Sequence, residues 1–306
     1  MGPSHPNERR RPRAQRSVEQ VKVAFLGPAG TFSEEALRLA ARDRRFEGDP
    51  RATIHAAIEA VEDGAAERAF VPFENSTEGT VRPTLDALAF EAERVRIVGE
   101  FDHRIHQALI AREEIVLDRI EVVISHPQAS AQCAGFLRES LPGAEVRAVS
   151  STSDAVRQVA ESGDPWAALG SAAAADAYGC IVLRSGVEDT GDNVTRFAWL
   201  APLGADPPPV DPDAAWRTTL VFSELGEDHP GALVEALSEL SSRGINMTRI
   251  ESRPRRMELG RYLFFIDLDG SAEGGIVAAG IDALRGQAET VRVLGSYQVG
   301  GPPPLA

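Results

Sequence analysis

Four polar segments adjoin predicted strands and contain the residues best suited to chemistry. They are Gly27–Ser33, Val71–Val81, His126–Ser130 and Asp192–Phe197. Their hydroxyl, amide and guanidinium groups are hydrogen-bond donors of the kind that bind carboxylates. Because ligands of α/β sheets bind at the carboxyl ends of the strands, we interpret these segments as candidate binding loops.

The first segment, GPAGTFS, leads into a predicted helix. Its glycine spacing differs from the dinucleotide-binding fingerprint, and no lysine follows as it does in a P-loop. Thr31 and Glu34 have the spacing of a capping box, and Gly30 permits a close approach of the backbone. The free N–H groups at this helix start predict either an anion site or simply a capped helix.

The second segment, VPFENSTEGTV, is more polar than a connection between a strand and a helix requires. Asn75, Ser76 and Thr80 can donate hydrogen bonds to a carboxylate. Glu74 would repel a carboxylate, so we expect it to be structural.

The fourth segment leads into a strand. Side chains alternate along a strand, so Thr195 and Phe197 share one face and Arg196 points to the other. An arginine at the start of an apolar strand usually has a carboxylate partner, and the sequence is equally consistent with a partner in the protein and one in a ligand.

The histidines and cysteines give weaker signals. His126, in the third segment, is as consistent with a capping residue as with a general base. His103 and His106 lie three residues apart on a predicted strand and face opposite sides, so we do not expect them to share a metal ion. Cys133 and Cys180 are too few for a disulfide framework, and their spacing is not that of a metal site.

Composition excludes several classes of partner. The 306 residues carry 32 basic and 46 acidic side chains, a net charge of −14, and Lys22 is the only lysine. An acidic body repels nucleic acid and anionic lipid, so neither is expected as a partner. No apolar run reaches the ~20 residues of a membrane span, and the charged N-terminus lacks the apolar core of a secretory signal. We therefore expect a cytoplasmic protein with a disordered tail at residues 1–19.

The elements that must position these segments fall into two regions. Up to about residue 200, apolar strands alternate with helices, which indicates mostly parallel sheets covered by helices, either as one large sheet or as two small lobes. The Pro-rich stretch Ala201–Pro212 is typical of a linker. The elements beyond it follow the ferredoxin-like order βαββαβ, with predicted bounds Trp216–Glu224, Gly231–Arg243, Ile245–Arg253, Gly260–Asp269, Gly275–Gln287 and Val291–Gln298.

Taken in order, the four segments resemble a known family. GPAGTFSEEAL, VPFENSTEGTV, the HPQA at 126–129 and NVTRF are similar to the motifs of bacterial prephenate dehydratases. The second region resembles the C-terminal ACT regulatory domain of that family, with GAL at 231–233 and ESRP at 251–254. The resemblance covers residues 20 to 300.

This resemblance implies a fold and an activity. The α/β catalytic region would comprise two lobes like those of the type 2 periplasmic-binding fold at residues 20–203, followed by a linker at 204–213 and a ferredoxin-like ACT domain at 214–300. The family converts prephenate to phenylpyruvate on the way to phenylalanine, and it needs no metal or organic cofactor. ACT pairing implies a homodimer or a homotetramer.

The same resemblance implies the site residues. Thr195 would assist the departing hydroxyl as a hydrogen-bond donor in a water-poor cleft, and Arg196 would recognise a carboxylate beside it. Phe197 is expected to shape the ring pocket, although core packing explains it equally well. The residues predicted to bind substrate are Ala29, Gly30, Thr31, Ser33, Asn75, Ser76, Thr77 and Phe197.

L-phenylalanine is the effector that the resemblance implies. Glycine at 231 lets the backbone approach a ligand, and the helix start there suits a carboxylate. The predicted contacts are Gly231, Ala232, Leu233, Asn246, Glu251 and Ser252.

Three other functions remain open from the sequence: arogenate dehydratase, prephenate decarboxylase without aromatisation, and a non-catalytic two-lobed ligand sensor. The ACT resemblance counts against the decarboxylase. The intact sequence Thr195-Arg196-Phe197 counts against the sensor.

Overall fold

The computed structural model describes residues 20–225, 230–255 and 261–305, so the predicted tail at 1–19 lies outside the described residues. In this part of the chain a ten-stranded and a five-stranded sheet are covered by helices. The strands are β1 Val21–Leu26, β2 Phe46–Arg51, β3 Arg68–Asn75, β4 Gly79–Thr80, β5 Val95–Arg104, β6 Ala108–Ala111, β7 Val122–Ser125, β8 Glu145–Ala148, β9 Trp166–Gly170, β10 Ile181–Ser185, β11 Val194–Pro202, β12 Trp216–Ser223, β13 Met247–Pro254, β14 Tyr262–Asp269 and β15 Thr290–Gln298. The helices are α1 Phe32–Ala41, α2 Ile54–Glu62, α3 Arg82–Phe90, α4 Pro127–Gln132, α5 Ala134–Ser140, α6 Thr152–Glu161, α7 Ala172–Tyr178, α8 Ala232–Ser241 and α9 Gly275–Arg285.

Two lobes of the same topology form the N-terminal region. The first lobe has the strand order β2-β1-β3-β11-β5 and the second has β8-β7-β9-β6-β10. In each lobe the fourth strand, β11 or β6, runs antiparallel to both neighbours. Each of these strands is the first one that the chain forms after it passes over from the other lobe. This arrangement confirms two lobes of the type 2 fold. Strand–helix alternation alone could not distinguish two lobes from one large sheet.

The first helix shows how the local sequence sets these elements. Thr31 caps α1 by accepting a hydrogen bond from the backbone N–H of Glu34 at 3.3 Å, and the Glu34 carboxylate accepts from the N–H of Gly30 at 2.7 Å. Ala36 and Leu37 are fully buried and fix the helix to the sheet. The cap therefore places the start of α1 at the carboxyl end of β1.

The C-terminal region, residues 216–298, has the predicted element order. Its sheet, β13-β14-β12-β15, packs one face on α8 and α9 and the other against the first lobe. Strand β15 also pairs with β5 at Gly295 and Ile97, so the sheet continues from one region into the other. A Cβ on Gly295 would lie 2.2 Å from the Ile97 carbonyl oxygen, which explains the glycine at this junction.

Several predicted bounds were wrong. Strand β2 was missed because FEGDPR is polar and contains Pro50, which an edge strand tolerates. The strand predicted at Ile105–Ala111 is confined to Ala108–Ala111, since β5 runs on to Arg104. The helix predicted from Ala129 to Ser140 breaks at Cys133 into α4 and α5. Residues 203–215 contain neither helix nor strand, and their role as a linker stays a prediction.

None of the helices in the described ranges is long and apolar enough to cross a membrane.

Candidate active site

A cleft of about 330 Å³ lies between the two lobes. The first lobe contributes an apolar wall and Thr195, and the second contributes two helix starts rich in polar side chains. Segments where the chain crosses between lobes complete the lining. The lining residues are Leu26, Phe32, Ser33, Pro72, Asn75, Ile105, Gln107, His126, Gln128, Ala129, Gln132, Ser150, Ser151, Thr152, Asn193, Thr195 and Phe197.

Thr195 is held from one side by Asn75. The two residues are cross-strand partners on β11 and β3, and the Asn75 side-chain amide donates to Thr195 Oγ1 at 2.9 Å. The side-chain oxygen of Asn75, Oδ1, is itself fixed, because it accepts hydrogen bonds from the backbone N–H groups of Thr77 and Glu78, both at 2.9 Å. Thr195 is 8% exposed, and its hydroxyl donates to no group among the described residues. Its proton is therefore available to a ligand in the cleft.

Helix starts face the cleft from both lobes. Ser33 lies in the first turn of α1, and Ser150, Ser151 and Thr152 surround the start of α6. Ser151 caps α6 by accepting from the backbone N–H of Asp154 at 3.0 Å. Helix N-termini attract anions through their free N–H groups and the helix dipole. Since the lining residues of the described chain include no arginine, lysine or carboxylate, these helix starts supply the positive potential of the cleft.

The loop before α1 forms hydrogen bonds to the second lobe. The Ala29 carbonyl oxygen accepts from the hydroxyl groups of Ser153 at 2.6 Å and Tyr178 at 3.2 Å. The Gly30 carbonyl oxygen accepts from Ser171 at 2.8 Å. The Thr31 hydroxyl donates to the backbone carbonyl of Leu26 at the end of β1 at 3.0 Å. Ala29, Gly30 and Thr31 thus join the lobes or cap α1 and are not among the lining residues of the cleft, and their contact with substrate stays a prediction.

Ser76 and Thr77 also lie outside the lining and support it from behind. The Ser76 hydroxyl donates to the Asp192 carbonyl oxygen at 2.8 Å and accepts from the Val194 N–H at 2.9 Å, so it fastens the loop to the start of β11. The Thr77 N–H orients Asn75. Of the residues predicted to bind substrate, the structure brings Ser33, Asn75 and Phe197 together with Thr195 in the cleft.

Arg196 is not among the lining residues of the cleft, and its contact with a substrate carboxylate stays a prediction. Its guanidinium is buried and forms ion pairs with Glu74 at 2.8 Å, Asp267 at 2.8 Å and Glu100 at 3.5 Å. Burial alone would lower the pKa of Arg196, but the field of Asp267 raises it above its ordinary value. The carboxylate partner that the sequence left open is therefore in the protein, and Glu74 is structural, as predicted.

The histidines take the structural alternatives. His126 caps α4, and its Nδ1 accepts from the Gln128 N–H at 3.3 Å, although its side chain also borders the cleft. His103 and His106 contact different carboxylates, Glu35 at 3.0 Å and Glu188 at 2.7 Å.

A cluster of side-chain amides in the cleft was missed by sequence reasoning. Gln132 Oε1 accepts from the amides of Gln107 and Asn193, both at 3.4 Å. Gln107 is 3% exposed, and its Oε1 has no partner in the described chain. These residues come from crossing segments and from α4, so no local pattern unites them. The sequence does contain a signal for the helix start at Ser151, because Ser151 and Asp154 have the spacing of a helix cap.

The six residues predicted to bind phenylalanine do not form one cluster within a single chain. Gly231 starts α8 with a φ of +99°, and Asn246 is exposed beyond that helix. Ser252 is exposed, whereas Glu251 faces the first lobe and accepts a hydrogen bond from Thr80 at 3.2 Å. Ala232 and Leu233 are half-buried in the first turn of α8.

Fold and cleft together define a two-lobed α/β protein of type 2 topology, with an interlobe site suited to a small anion and a ferredoxin-like C-terminal region. The family described as prephenate dehydratase matches residues 23–203, and the chain belongs to this family. The expected family, fold class and enzyme class are thereby confirmed.

Relatives of known name match along almost the whole chain. Prephenate dehydratases of Mycobacterium tuberculosis and Mycobacterium bovis are 39% identical over 288 residues, which cover 92% of this chain and 88% of theirs. The crystal structure of prephenate dehydratase from Arthrobacter aurescens in complex with L-Phe is similar at 39% identity with a TM-score of 0.83, covering 94% of this chain and 93% of that one. GqqA, described as a novel type of quorum quenching acylase, is similar at 34% identity with a TM-score of 0.81, covering 91% of this chain and 98% of its own.

Proposed function

We propose that this protein is a prephenate dehydratase that forms phenylpyruvate, carbon dioxide and water from prephenate. The observation that carries the proposal is the buried Thr195 hydroxyl, which Asn75 holds in the cleft of a member of this family.

The chemistry requires few protein groups. The bond from the ring to one carboxylate breaks and releases carbon dioxide, and its electron pair aromatises the ring and expels the ring hydroxyl. The departing hydroxide takes up one proton and becomes water, so the reaction involves no net oxidation or reduction. Because aromatisation drives these steps, the protein has to orient the substrate and stabilise the charge that develops on the leaving oxygen.

Thr195 is the group that stabilises the leaving oxygen in this proposal. It accepts from Asn75 and has its proton free, so it donates a hydrogen bond toward the cleft. Donation by Asn75, itself polarised by two backbone N–H groups, strengthens that donor. In a cleft with little water such a bond is worth more than in solution.

The remaining lining fits a dianion with an apolar ring. Phe32 lies in the lining and offers a surface for the ring, whereas Phe197 borders the cleft but is only 2% exposed and stacks on Phe70. The starts of α1 and α6 face the same space from opposite lobes and offer N–H and hydroxyl donors to the two carboxylates. In this division of roles the helix starts, and not Arg196, bind the carboxylates.

Product analysis tests the proposal. Purified protein is incubated separately with prephenate, with arogenate and with an N-acyl amide, and products are identified by chromatography and mass spectrometry. We expect phenylpyruvate from prephenate; phenylalanine formed only from arogenate would support the arogenate dehydratase. A carboxylic acid released only from the amide would support the acylase activity for which GqqA is described. The structure gives no sign of a serine–histidine pair for such an activity, because none of the cleft hydroxyl groups in the described residues forms a hydrogen bond with His126. No turnover of any of the three would favour the ligand sensor.

We further propose that L-phenylalanine regulates the enzyme through a C-terminal ACT domain. The relative from Arthrobacter aurescens was solved with L-Phe, and the similarity extends over the C-terminal region. Differential scanning fluorimetry should show a rise in unfolding temperature with L-phenylalanine and none with D-phenylalanine, and the enzyme's rate should change over the same range of concentration. A constant rate and unfolding temperature would contradict the proposal.

An assembly through ACT pairing follows from the same proposal. Val234, Ile250 and Ile276 are exposed apolar side chains of the C-terminal region, at 67%, 44% and 59% of their full exposure, and would be covered in a homodimer or homotetramer. Light scattering coupled to size-exclusion chromatography should give a mass of two or four chains; a monomer would contradict the pairing. A role in making phenylalanine would place the protein in the cytoplasm, which cell fractionation tests.

A further inference from the structure

A buried cluster of charged side chains joins the C-terminal region to the strand that carries Thr195. Asp267 of β14 is fully buried, and its carboxylate accepts from Arg196 at 2.8 Å, from Arg249 at 2.9 Å and from the hydroxyl of Thr219 at 2.8 Å. Desolvating such charges costs about as much as their attraction returns, so a buried ion pair is weak evidence for a role in stability. Its position suggests another role.

Arg196 lies at an irregularity in the pairing of β11 with β3. Arg196 pairs with Glu74 and the next residue, Phe197, pairs with Pro72, which leaves Phe73 as an extra residue on β3. Such a bulge redirects the side chains around it, and bulges are common beside active sites. The bulge begins one residue after Thr195.

Phe73 itself is held by the charged cluster. Its ring centroid lies 4.9 Å from the guanidinium carbon of Arg196 and 4.8 Å from that of Arg249. Each contact is a cation–π interaction, and burial strengthens it. Asp267 bonds both guanidinium groups and so fixes the two cations around this ring.

We infer that Asp267, a residue of the C-terminal region, is a positioning residue for Thr195. Through Arg196 it holds the bulge in one register, and that register keeps Thr195 opposite Asn75 with the hydroxyl directed into the cleft. The inference rests on the proposed function of Thr195.

A comparison of two ion-pair variants tests the inference in the full chain. Asp267→Asn keeps the shape of the side chain and removes its charge. Asp86→Asn is the matched control, because Asp86 of α3 pairs with Arg253 of the C-terminal region at 2.8 Å without touching β11. We expect Asp267→Asn to lower kcat about tenfold or more with KM within about twofold, and Asp86→Asn to leave both within about twofold. Asp267→Glu, which restores the charge, should recover part of kcat.

Folding is checked by circular dichroism at the assay temperature, because an unpaired buried arginine destabilises a protein strongly. If Asp267→Asn does not fold, Arg249→Lys takes its place: it keeps a positive charge beside Asp267 but lacks the planar group over Phe73, and kcat should fall about threefold to tenfold. A folded Asp267→Asn variant with kcat within about twofold of wild type, or an equal loss in Asp86→Asn, would overturn the inference.

One measurement separates this inference from the proposed function. If the wild-type chain does not turn over prephenate, the proposed function fails whatever the variants do. A crystal structure of Asp267→Asn remains decisive in that case. It should show the Asn75 amide nitrogen and Thr195 Oγ1 separated beyond about 3.5 Å, where a hydrogen bond is lost. An unchanged distance of 2.9 Å would refute the positioning role.

Discussion

Replacing Thr195 by valine removes the hydroxyl that is proposed to stabilise the leaving oxygen and keeps the shape of the side chain. Loss of one preorganised donor to a developing oxyanion lowers kcat by about 10²–10³, which is ~2.7–4 kcal/mol in activation free energy. The structure indicates a small effect on folding. The Asn75 amide would lose Thr195 as an acceptor but keep Asn193 Oδ1 at 2.6 Å, so the free energy of unfolding should fall by only about 1 kcal/mol. We therefore expect a loss of kcat with KM nearly unchanged.

The assay is the initial rate of phenylpyruvate formation from prephenate, measured by chromatography under saturating substrate. Thr195→Ser restores a hydroxyl and should return kcat to within about tenfold of wild type. Thr218→Val is the matched control, because Thr218 is a fully buried strand threonine outside the cleft whose hydroxyl donates to the Gly270 carbonyl oxygen at 2.8 Å. If the Thr195→Val variant keeps more than about a third of kcat, the hydroxyl does not act in the slow step and the proposed mechanism is refuted.

Three further predictions concern the supports of the site. Asn75→Asp turns the donor toward Thr195 into an acceptor and captures its proton, so kcat should fall about 100-fold in the same assay, whereas an unchanged kcat would contradict that geometry. Gly30 has a φ of +76°, and a Cβ added there would lie 2.7 Å from Ala174 Cα, so Gly30→Ala should lower both the unfolding temperature and kcat. The control is Gly64→Ala: Gly64 has a φ of +74° but open space around it, so this variant should lose only about 1–2 kcal/mol of stability through backbone strain. Equal losses in the two variants would argue against the interlobe contact. Burial raises the pKa of the Cys133 thiol to about 12, so it stays protonated at pH 8, and mass spectrometry should find it alkylated by iodoacetamide only after unfolding. Because the folded state favours the neutral thiol, its contribution to stability is full below the ordinary pKa of 9.0 and is lost as pH rises toward 12.

Strand alternation alone predicted how β11 divides its side chains. Thr195 and Phe197 line the cleft and Arg196 does not, as a period of two requires. The partner of Arg196 was beyond reach of the sequence, because Asp267 is separated from it by 71 residues and belongs to the other region. A local pattern can show that a buried arginine needs a carboxylate, but it cannot show which distant strand supplies it.

The polar segments were predicted to contact substrate directly, and the structure shows that several of their polar groups form hydrogen bonds within the protein. Hydroxyl and amide groups at a strand end can meet a ligand, a helix start or the opposite lobe, and the sequence does not distinguish these three. Ser33 borders the cleft, Thr31 caps its own helix, and Gly30 packs on Ala174 of the second lobe. Only the relative placement of the lobes separates these roles, and that placement depends on long-range packing rather than on local propensity.

A net charge of −14 and a dianionic substrate are compatible because the local field of the cleft differs from the field of the whole protein. Carboxylates are absent from the cleft lining in the described residues, and residues at the starts of α1 and α6 belong to that lining. Arg196, which follows Thr195 on β11, forms ion pairs with Asp267, Glu74 and Glu100 on the opposite face of the sheet. Backbone N–H groups and hydroxyls bind an anion without a charged side chain. Salt should therefore weaken the binding of prephenate only by screening the charges of prephenate itself, and not by screening an arginine of the protein. The acidic surface then acts against macromolecular polyanions, while the cleft selects a small one.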